Sequence, residues 1–388
     1  MFGLYGLAQG AEDTKDYSLH FDLTVPLSRY VIDHEGELAF PFKRYQIQKV
    51  RRGERSQKGR FKEFYQCDVD VIDKNLSTAY DAEVVYILYT TVEKIFQQLG
   101  LDKKFVIQLN NRKLYDAIFG HLGVEAEQAK KLMNVFDLYH KIEKTEFEKQ
   151  VKEIIGEKHE TLIQYLDNNI LTENTEYPEN ISKAVQELKE VYEYLQRRGV
   201  NVKFDPYIVR GLDYYNGTVF ETFIEDNRDF GSICSGGRFD NLVGYIRNNT
   251  EKKGAEYGGV GGSIGLSRLL FRLKEAGLLP AENSLADVMI FNFDDNAQQY
   301  REEIADILRE SGLRVDQYLN NDKMGKQFQY AESKKIPYGV FAGEKEQEQK
   351  QVQIKNLQNR QTEILNLSDL PNKIQTCLKL FYNLILPP

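Results

Sequence analysis

The stretch RRGERSQKGRFKEFYQCDVDV, residues 51–71, decides how the first part of the chain folds. Together with residues 42–50, in which apolar and polar side chains alternate, it has the pattern of a long β-hairpin with a glycine-containing polar tip. Side chains two residues apart in a strand share a face. One face of the returning arm carries Tyr65, Cys67, Val69 and Val71, and the other carries Phe64, Gln66, Asp68 and Asp70. The first set predicts a core face and the second a face in contact with water.

Charged side chains crowd the tip of this hairpin, among them Arg52, Arg55, Lys58 and Arg60. A guanidinium group carries its donors in a planar fork that fits the oxygens of a phosphate group. The tip therefore predicts a clamp for a polyphosphate ligand. A solvated edge strand would show the same alternation of residues and remains the alternative at this point.

Two later segments also combine charge with glycine. In YIVRGLDYYNGTVFE, residues 207–221, Arg210 lies between apolar neighbours. A buried arginine must either pair, for instance with Asp213, or face an anionic ligand. In GGVGGSIGLSRLL, residues 258–270, a glycine-rich run precedes a helix that contains Arg268. Such a run either binds an anion at the helix N-terminus or is a plain turn.

Composition places the chain among globular proteins of a reducing compartment. Its 388 residues are 41% hydrophobic and carry a formal net charge of −8, which neither indicates nor excludes a local basic surface for nucleic acid. The three cysteines, Cys67, Cys234 and Cys377, are too far apart in sequence for a disulfide framework or a zinc site. With no signal-peptide or transmembrane pattern, the sequence predicts a cytoplasmic protein without membrane contact or protein-bound metal.

Hydrophobic periodicity divides the chain into four parts. Residues 1–111 hold the hairpin, 112–200 have the pattern of charged amphipathic helices, 201–277 return to strand patterns, and 286–388 open with a β-α-β-α-β pattern that predicts a separate α/β domain. Within these parts, the pattern predicts a helix over 77–99 that ends at Gly100, and strands over 203–215 and 218–224.

These segments together resemble the motifs of the class II aminoacyl-tRNA synthetases, and specifically the histidyl-tRNA synthetase family. Residues 52–71 resemble motif 2 of that family, RGLDYYNGTVFE at 210–221 its histidine motif, and GGSIGLSRLL at 261–270 its motif 3. FDLTVPLSRY at 21–30, NNRKLYD at 110–116 and CSGGRFDNLV at 234–243 are similar to further family segments. The resemblance implies an α+β fold, in which helices flank an antiparallel sheet, with a helical insertion and a C-terminal α/β domain similar to the anticodon-binding domain.

The resemblance also implies the ligands of ATP. Arg52 would hold the α-phosphate, Glu54 would read the adenine amino group, and Arg60 would reach the distal phosphates. Phe64 and Arg268 would enclose the adenine ring between an aromatic face and a planar guanidinium. Mg²⁺ would be bound through the phosphates.

For the amino acid, the resemblance implies a pocket for L-histidine. Asp22, Thr24 and Asp70 would hold its ammonium group, with Gln66 beside them, and Tyr214 and Tyr215 would hold its imidazole. Arg210 would act as an electrostatic catalyst where the carboxylate meets the α-phosphate.

The function implied is ATP-dependent activation of L-histidine to histidyl-adenylate and transfer to the 3′ end of tRNA(His). The family's motif 1, which builds its dimer interface, has no counterpart in the sequence, so a homodimer is predicted for a full-length chain. On the C-terminal domain, Lys323, Lys326, Gln327 and Tyr330 would face the anticodon, unless they form a solvated helix face. Two alternatives stay open: a non-charging paralogue like the regulatory subunit of ATP phosphoribosyltransferase, and an inactive tRNA-binding module.

Overall fold

A computed structural model describes residues 3–4, 17–53, 55, 58–102, 104–166, 168–171, 177–209, 214–225, 230–248, 254, 256–279 and 284–385. The chain forms two compact units, Met1–Leu278 and Leu279–Pro388. The finer division of the first unit into a core and a helical insertion stays a prediction.

The predicted hairpin is confirmed. It consists of β3 (Phe42–Arg51) and β4 (Glu63–Asp73). Two short strands that precede it, β1 (Gly3–Leu4) and β2 (Tyr17–Ser18), pair with each other. Strands β3 and β4 are antiparallel in unbroken register from the pair Phe42 and Ile72 to the pair Arg51 and Glu63. The polar tip lies beyond that last pair, because its glycines and charged residues do not continue a ladder.

A seven-stranded sheet forms the centre of the first unit, in the order β3-β4-β9-β8-β7-β5-β6. Its neighbours are antiparallel except for β5 and β6, which are parallel. The remaining strands are β5 (Phe105–Asn111), β6 (Val202–Phe204), β7 (Thr218–Ile224), β8 (Cys234–Arg238) and β9 (Gly258–Ile264). The predicted fold class, α+β with a mainly antiparallel sheet flanked by helices, is confirmed.

Nine helices accompany this sheet among the described residues: α1 (Thr24–His34), α2 (Ala79–Gln98), α3 (Arg112–Leu122), α4 (Ala126–Phe136), α5 (Lys144–Ile155), α6 (Lys158–Tyr165), α7 (Glu179–Arg197), α8 (Leu242–Asn248) and α9 (Leu266–Glu275). Helix α2 confirms the predicted helix and its stop, since Gly100 takes a positive φ of 66° that a glycine adopts without strain. Its fully buried residues Val85, Leu88 and Val92 recur at helical spacing and form the face turned toward the sheet.

The glycine-rich run of residues 258–264 is a central strand rather than a turn before a helix. Gly261 lies opposite Asp70 in the register with β4, and a side chain at Gly261 would enter the space of the Asp70 carboxylate. On the other face, a side chain at Gly262 would meet Leu88 of α2. Glycine is needed in this strand because other groups approach its backbone closely on both faces.

The strand predicted over residues 203–215 is wrong for residues 205–209, 214 and 215, since β6 ends at Phe204. The Asp205 side chain accepts a hydrogen bond from the backbone N–H of Tyr207 at 2.9 Å, which closes a turn. Pro206 between them has no N–H to offer a ladder. The apolar residues Ile208 and Val209 that suggested a strand are buried, but they lie outside any strand.

The second unit holds a five-stranded sheet in the order β11-β10-β12-β13-β14. The β-α-β-α-β pattern is confirmed, because β10 is parallel to both β11 and β12. Its strands are β10 (Val288–Ile290), β11 (Val315–Gln317), β12 (Tyr338–Phe341), β13 (Gln351–Asn356) and β14 (Thr362–Asn366), and its helices are α10 (Gln298–Glu310), α11 (Met324–Ser333), α12 (Glu344–Gln349) and α13 (Leu370–Ile385). No helix in the described part of either unit has the length and apolarity that a membrane crossing requires.

Gln327 is corrected by the structure. It is fully buried in α11, where its Oε1 accepts from the backbone N–H of Asn292 at 2.9 Å and its Nε2 donates to the carbonyl of Asp322 at 2.8 Å. It therefore joins α11 to the end of β10 and has no surface for an anticodon base. Polar residues predicted from a helical face can turn inward when a strand end offers unpaired backbone groups.

Candidate functional site

A cavity of about 300 Å³ lies at the tip end of the hairpin, between β4, β8, β9 and α9. Five of the residues predicted to bind ligands line it together: Arg52, Arg60, Phe64, Gln66 and Arg268. The rest of its wall consists of small or apolar residues, including Ser232, Ser235 and Ser263. A flat aromatic ring, three guanidinium groups and several hydroxyls in one cavity suit a ligand that is both planar and strongly anionic.

The Arg52 side chain is held in place before any ligand arrives. Its Nε donates to the carbonyl of Phe21 at 3.2 Å, and its guanidinium carbon lies 4.8 Å from the ring centre of Phe21 and 5.2 Å from that of Phe64. Because its contacts with two rings already restrict the guanidinium, the Arg52 side chain loses less conformational entropy on binding than a flexible side chain would. Arg52 therefore presents a fixed fork to an anion.

The hairpin tip is attached to α9. Lys58 forms an ion pair with Glu275, and the rings of Phe61 and Phe271 meet edge to face with centres 5.4 Å apart. Gly59 between them takes φ 76°, and a Cβ there would lie 3.2 Å from Nε of Arg272. These contacts place Arg60, which is exposed, beside the cavity.

Arg268 reaches the cavity from the first turn of α9. Its guanidinium lies against the backbone of Gly231, where a Cβ would approach the Arg268 Cζ to 3.1 Å. Gly231 takes φ 75°, a conformation that a glycine adopts without strain. The absence of a side chain at Gly231 therefore leaves room for the guanidinium in the cavity wall.

A cluster of buried carboxylates continues from the cavity along the polar face of β4. Asp68 and Asp70 follow Gln66 at intervals of two, which spaces Gln66 and Asp70 by about 13 Å. Asp68 is 5% exposed and Asp70 2% exposed. Burial raises the pKa of Asp68 to about 6 and that of Asp70 to about 7, although nearby Arg44 acts in the opposite direction on both.

Arg44 compensates this charge from the neighbouring strand. It lies opposite Asp70 in the β3–β4 register, and its Nη2 is 2.8 Å from Oδ2 of Asp70. The same Nη2 donates to the carbonyl of Leu23 at 2.9 Å, which brings the start of α1 to the cluster. Asp22 and Thr24 on either side of Leu23 are 5% and 7% exposed.

The two tyrosines of the histidine motif face the same cluster. Tyr214 donates its hydroxyl hydrogen to Oδ2 of Asp22 at 3.2 Å, and its ring centre is 5.1 Å from that of Tyr215. Burial raises the pKa of both phenols, and the carboxylates of Asp22 and Asp70 add to that rise, so both remain protonated donors at neutral pH. Asp22, Thr24, Asp70, Tyr214 and Tyr215 thus form the second half of the site.

The burial of the two faces of β4 follows the prediction only in part, since Val71 on the predicted core face is buried at 3% exposure. Tyr65, on the face predicted to be core, is 41% exposed, whereas the carboxylates predicted to meet water are nearly buried. The polar face is covered by α1 and the histidine motif, and the apolar face lies next to the exposed Tyr45 and Ile47 of the edge strand β3. Alternation along one strand identifies two faces, but only the elements that cover them decide which is buried.

Two site residues escaped the sequence analysis. Asp68 was placed on the correct face without a role, and Arg44 was not singled out. The signal for Arg44 is its position in β3, since a hairpin register pairs it with Asp70.

Two predicted residues, Glu54 and Arg210, lie outside the described residues, as does Asp213. Cys234 lines the cavity, but burial raises the pKa of its thiol to about 12, which makes it a poor nucleophile. Within the described ranges, no group of three or more His, Cys, Asp or Glu side chains is placed to hold a metal ion.

Comparison with known proteins gives the same family in sequence and in structure. Residues 12–269 match the family model described as histidyl-tRNA synthetase, and residues 287–376 match the one described as anticodon binding domain. The histidine–tRNA ligase of Clostridium tetani is 39% identical, over 91% of this chain and 81% of the relative. That of Stenotrophomonas maltophilia is 38% identical, over 95% of this chain and 82% of the relative.

Among solved structures, a histidyl-tRNA synthetase from Nostoc sp. PCC 7120 matches with a TM-score of 0.75 and 31% identity, over 92% of this chain and 83% of that one. A Bacillus halodurans protein described as an ATP phosphoribosyltransferase regulatory subunit/histidyl-tRNA synthetase shares the fold alone, with a TM-score of 0.64 and 18% identity over 84% of this chain and 79% of that one. The family predicted from the motifs is confirmed, and this chain belongs to the histidyl-tRNA synthetase family of class II ligases.

Proposed function

We propose that this enzyme activates L-histidine with ATP to form histidyl-adenylate and then transfers the histidyl group to the 3′ end of tRNA(His). One observation carries the proposal: a cavity lined by three arginines and an aromatic ring adjoins a buried cluster of carboxylates and tyrosines on the same strand. The first half suits a nucleotide and the second suits a cationic amino acid with ring nitrogens.

In the first half, ATP is the substrate that fits the wall. Arg52 would hold the α-phosphate, Arg60 the distal phosphates, and Phe64 and Arg268 the two faces of the adenine ring. Glu54 would read the adenine amino group. Mg²⁺ bound through phosphate oxygens would balance the charge of the pyrophosphate that leaves.

In the second half, L-histidine would be held at both ends. Asp22, Thr24 and Asp70 would supply oxygens for its ammonium group, and Gln66 would contact the substrate from the end of β4 that lines the nucleotide cavity. Tyr214 and Tyr215 offer hydroxyls to the imidazole nitrogens. An amino acid without those nitrogens would leave buried polar groups unpaired, and the cost of doing so is the source of specificity.

The activation step needs no side-chain nucleophile. The histidine carboxylate attacks the α-phosphorus in line and expels pyrophosphate, so the enzyme must align two anions and neutralise the charge that develops. Arg52, fixed by two rings, supplies part of that charge. Arg210 would supply the rest from the histidine motif. In the second step, a ribose hydroxyl at the 3′ end of tRNA attacks the adenylate carbonyl and releases AMP.

Histidine-dependent exchange of labelled pyrophosphate into ATP tests the activation step, and charging of a tRNA(His) transcript tests the transfer. We expect exchange with histidine and background exchange with the other amino acids. Exchange that does not depend on histidine would refute the proposed pocket. Exchange without charging would refute the transfer step and leave activation in place.

Replacing Tyr214 by phenylalanine is expected to raise the histidine KM by about tenfold, because the variant loses one hydroxyl that pairs with the substrate and leaves Asp22 with one donor fewer. The KM for ATP should stay unchanged, since Tyr214 does not line the nucleotide cavity. Steady-state exchange kinetics measure both constants. A histidine KM equal to that of the wild type would remove Tyr214 from the pocket.

A further inference from the structure

Arg112, at the junction of β5 and α3, contacts the chain at two points, one just before the histidine motif and one within it. Its Nη2 donates to the carbonyl of Val209 at 3.1 Å and its Nη1 donates to the carbonyl of Tyr215 at 2.7 Å. One guanidinium therefore fixes two backbone points that are six residues apart in sequence. The Arg112 backbone N–H adds a third bond, to the carbonyl of Gly217 at 2.8 Å.

The residues just before Val209 are held by Asn110, which lies at the end of β5 near Arg112. Asn110, which is fully buried, donates from Nδ2 to the carbonyls of Pro206 at 3.3 Å and Ile208 at 3.1 Å. On the far side of the motif, the backbone N–H of Asn216 donates to the carbonyl of Arg238 at 2.9 Å. The Arg112 side chain itself donates to a carbonyl on each side, at Val209 and at Tyr215.

The chemistry of this contact depends on the shape of the guanidinium. Its two terminal nitrogens point in directions fixed by one plane, so it can serve two carbonyls at a set separation, and each bond is strengthened by the positive charge. A lysine ammonium is a single point and cannot span both carbonyls in that geometry. The buried Nε of Arg112 makes no hydrogen bond, so the two terminal bonds are what hold this side chain.

We propose that Arg112 is a positioning residue for the histidine pocket, because it sets the backbone from which the Tyr214 and Tyr215 side chains reach the Asp22 cluster. The proposal rests on the function proposed above and adds to it a residue that touches no substrate. Its effect is selective. The residues that line the nucleotide cavity lie on β4, β8, β9, α9 and the hairpin tip, whereas the hydrogen bonds of Arg112 go to Val209, Tyr215 and Gly217, which do not line it.

The test compares Arg112→Lys and Arg112→Ala with Arg198→Lys in the full chain. Arg198 is a matched control: it caps α7, with its guanidinium over the rings of Tyr86 and Tyr194 at 4.7 and 5.3 Å, and it lies away from the site residues. For both Arg112 variants we expect the histidine KM in pyrophosphate exchange to rise by about tenfold or more, with the ATP KM within about twofold of wild type. Arg198→Lys should match the wild type in both constants.

A second measurement distinguishes a positioning role of Arg112 from a general loss of structure in the variants. Methylguanidinium at millimolar concentration should lower the histidine KM of Arg112→Ala, because the free cation can occupy the vacated site, and should leave Arg112→Lys unchanged. Equal changes in the histidine and ATP constants, or no change in either, would overturn the proposal. If Arg112→Ala does not fold, the milder Arg112→Lys decides by the same split.

A binding measurement distinguishes failure of the Arg112 proposal from failure of the proposed function. Calorimetric titration of histidine into the wild type and into Arg112→Lys measures the pocket without catalysis. A wild type that binds histidine but does not exchange pyrophosphate refutes the proposed activation step and still allows the Arg112 comparison. A wild type that binds no histidine overturns both.

Discussion

Replacing Arg52 by alanine is expected to lower the kcat/KM of histidine-dependent pyrophosphate exchange by about 10³-fold. Fixed charge directed at a developing anion is among the largest single contributions to catalysis, since it requires no reorganisation during the reaction. Arg52 fits that description: its guanidinium is stacked between Phe21 and Phe64 and bonded to the Phe21 carbonyl, at the wall of the cavity. Alanine removes the charge and leaves a water-filled space where, within the proposed function, the α-phosphate would bind.

The neighbouring residue supplies the matched control. Arg51 has the same side chain one position earlier, but it faces the other side of β3 and pairs with Glu63, at 2.7 Å between Nη2 and Oε2. Arg51→Ala should leave kcat/KM within about twofold, because exposed ion pairs contribute little. Arg52→Lys should recover only part of the activity, since it restores a charge without the fork. A loss of less than tenfold in Arg52→Ala, with thermal unfolding unchanged, would contradict the assigned role.

Much of the fold follows from local patterns because the signals lie within short segments. The hairpin, helix α2 and the β-α-β-α-β order each depend on a periodicity of two or 3.6 and on a glycine at an end. At residues 203–215 the apolar alternation favours a strand, but Asp205 and Pro206 close a turn after β6, and this local chemistry outweighs the alternation.

The sequence predicts several residues that line the cavity, but it does not predict the burial of the carboxylates beside it. Motif resemblance named Arg52, Phe64, Gln66 and Arg268, and the fold brings them to one cavity. Burial of Asp68 and Asp70 could not be read from β4, because it comes from α1 and the histidine motif, which are distant in sequence. The same dependence on distant partners explains Gln327, whose bonds to the end of β10 are invisible in the sequence of α11.

The raised pKa values of Asp68 and Asp70 also bear on how a substrate would bind. A carboxyl group kept from water without full compensation is destabilised in its charged form, and a substrate ammonium group would relieve that cost on binding. Among the described residues, Arg44 is the cation that pairs with Asp70 in this cluster of carboxylates. Within the proposed function, histidine binding would therefore complete a charge balance that the free enzyme leaves open.

Replacing Arg238 by alanine is expected to lower the free energy of unfolding of the first unit by about 3–5 kcal/mol. Arg238, 8% exposed, donates from Nη1 to Asp81 at 2.8 Å and from Nε to Asp240 at 2.8 Å. Asp81 is 1% exposed and also accepts from the Thr218 hydroxyl at 2.6 Å. Without Arg238, Asp81 keeps one neutral donor and its carboxylate stays buried without a countercharge.

The sign of the pH dependence follows from Asp81. Burial raises its pKa to about 6 even with Arg238 in place, and Arg238 lowers it, so removing the arginine must raise it further. A carboxyl group with a raised folded-state pKa favours the folded state below its unfolded value of 3.8 and loses that contribution as pH rises through the folded value. Urea unfolding should therefore show a larger difference between variant and wild type at pH 8 than at pH 5.

Two further variants isolate the buried charge as the cause. Arg29→Ala removes an exposed arginine, 54% exposed and 2.9 Å from Asp33, and should cost less than about 1 kcal/mol. The double variant Asp81→Asn with Arg238→Met should be more stable than Arg238→Ala at pH 8, because replacing both partners leaves no charge to desolvate. Equal stability of the double and single variants, or a loss that does not change with pH, would mean that Arg238 stabilises the unit through its packing and its bond to the Leu76 carbonyl rather than through Asp81.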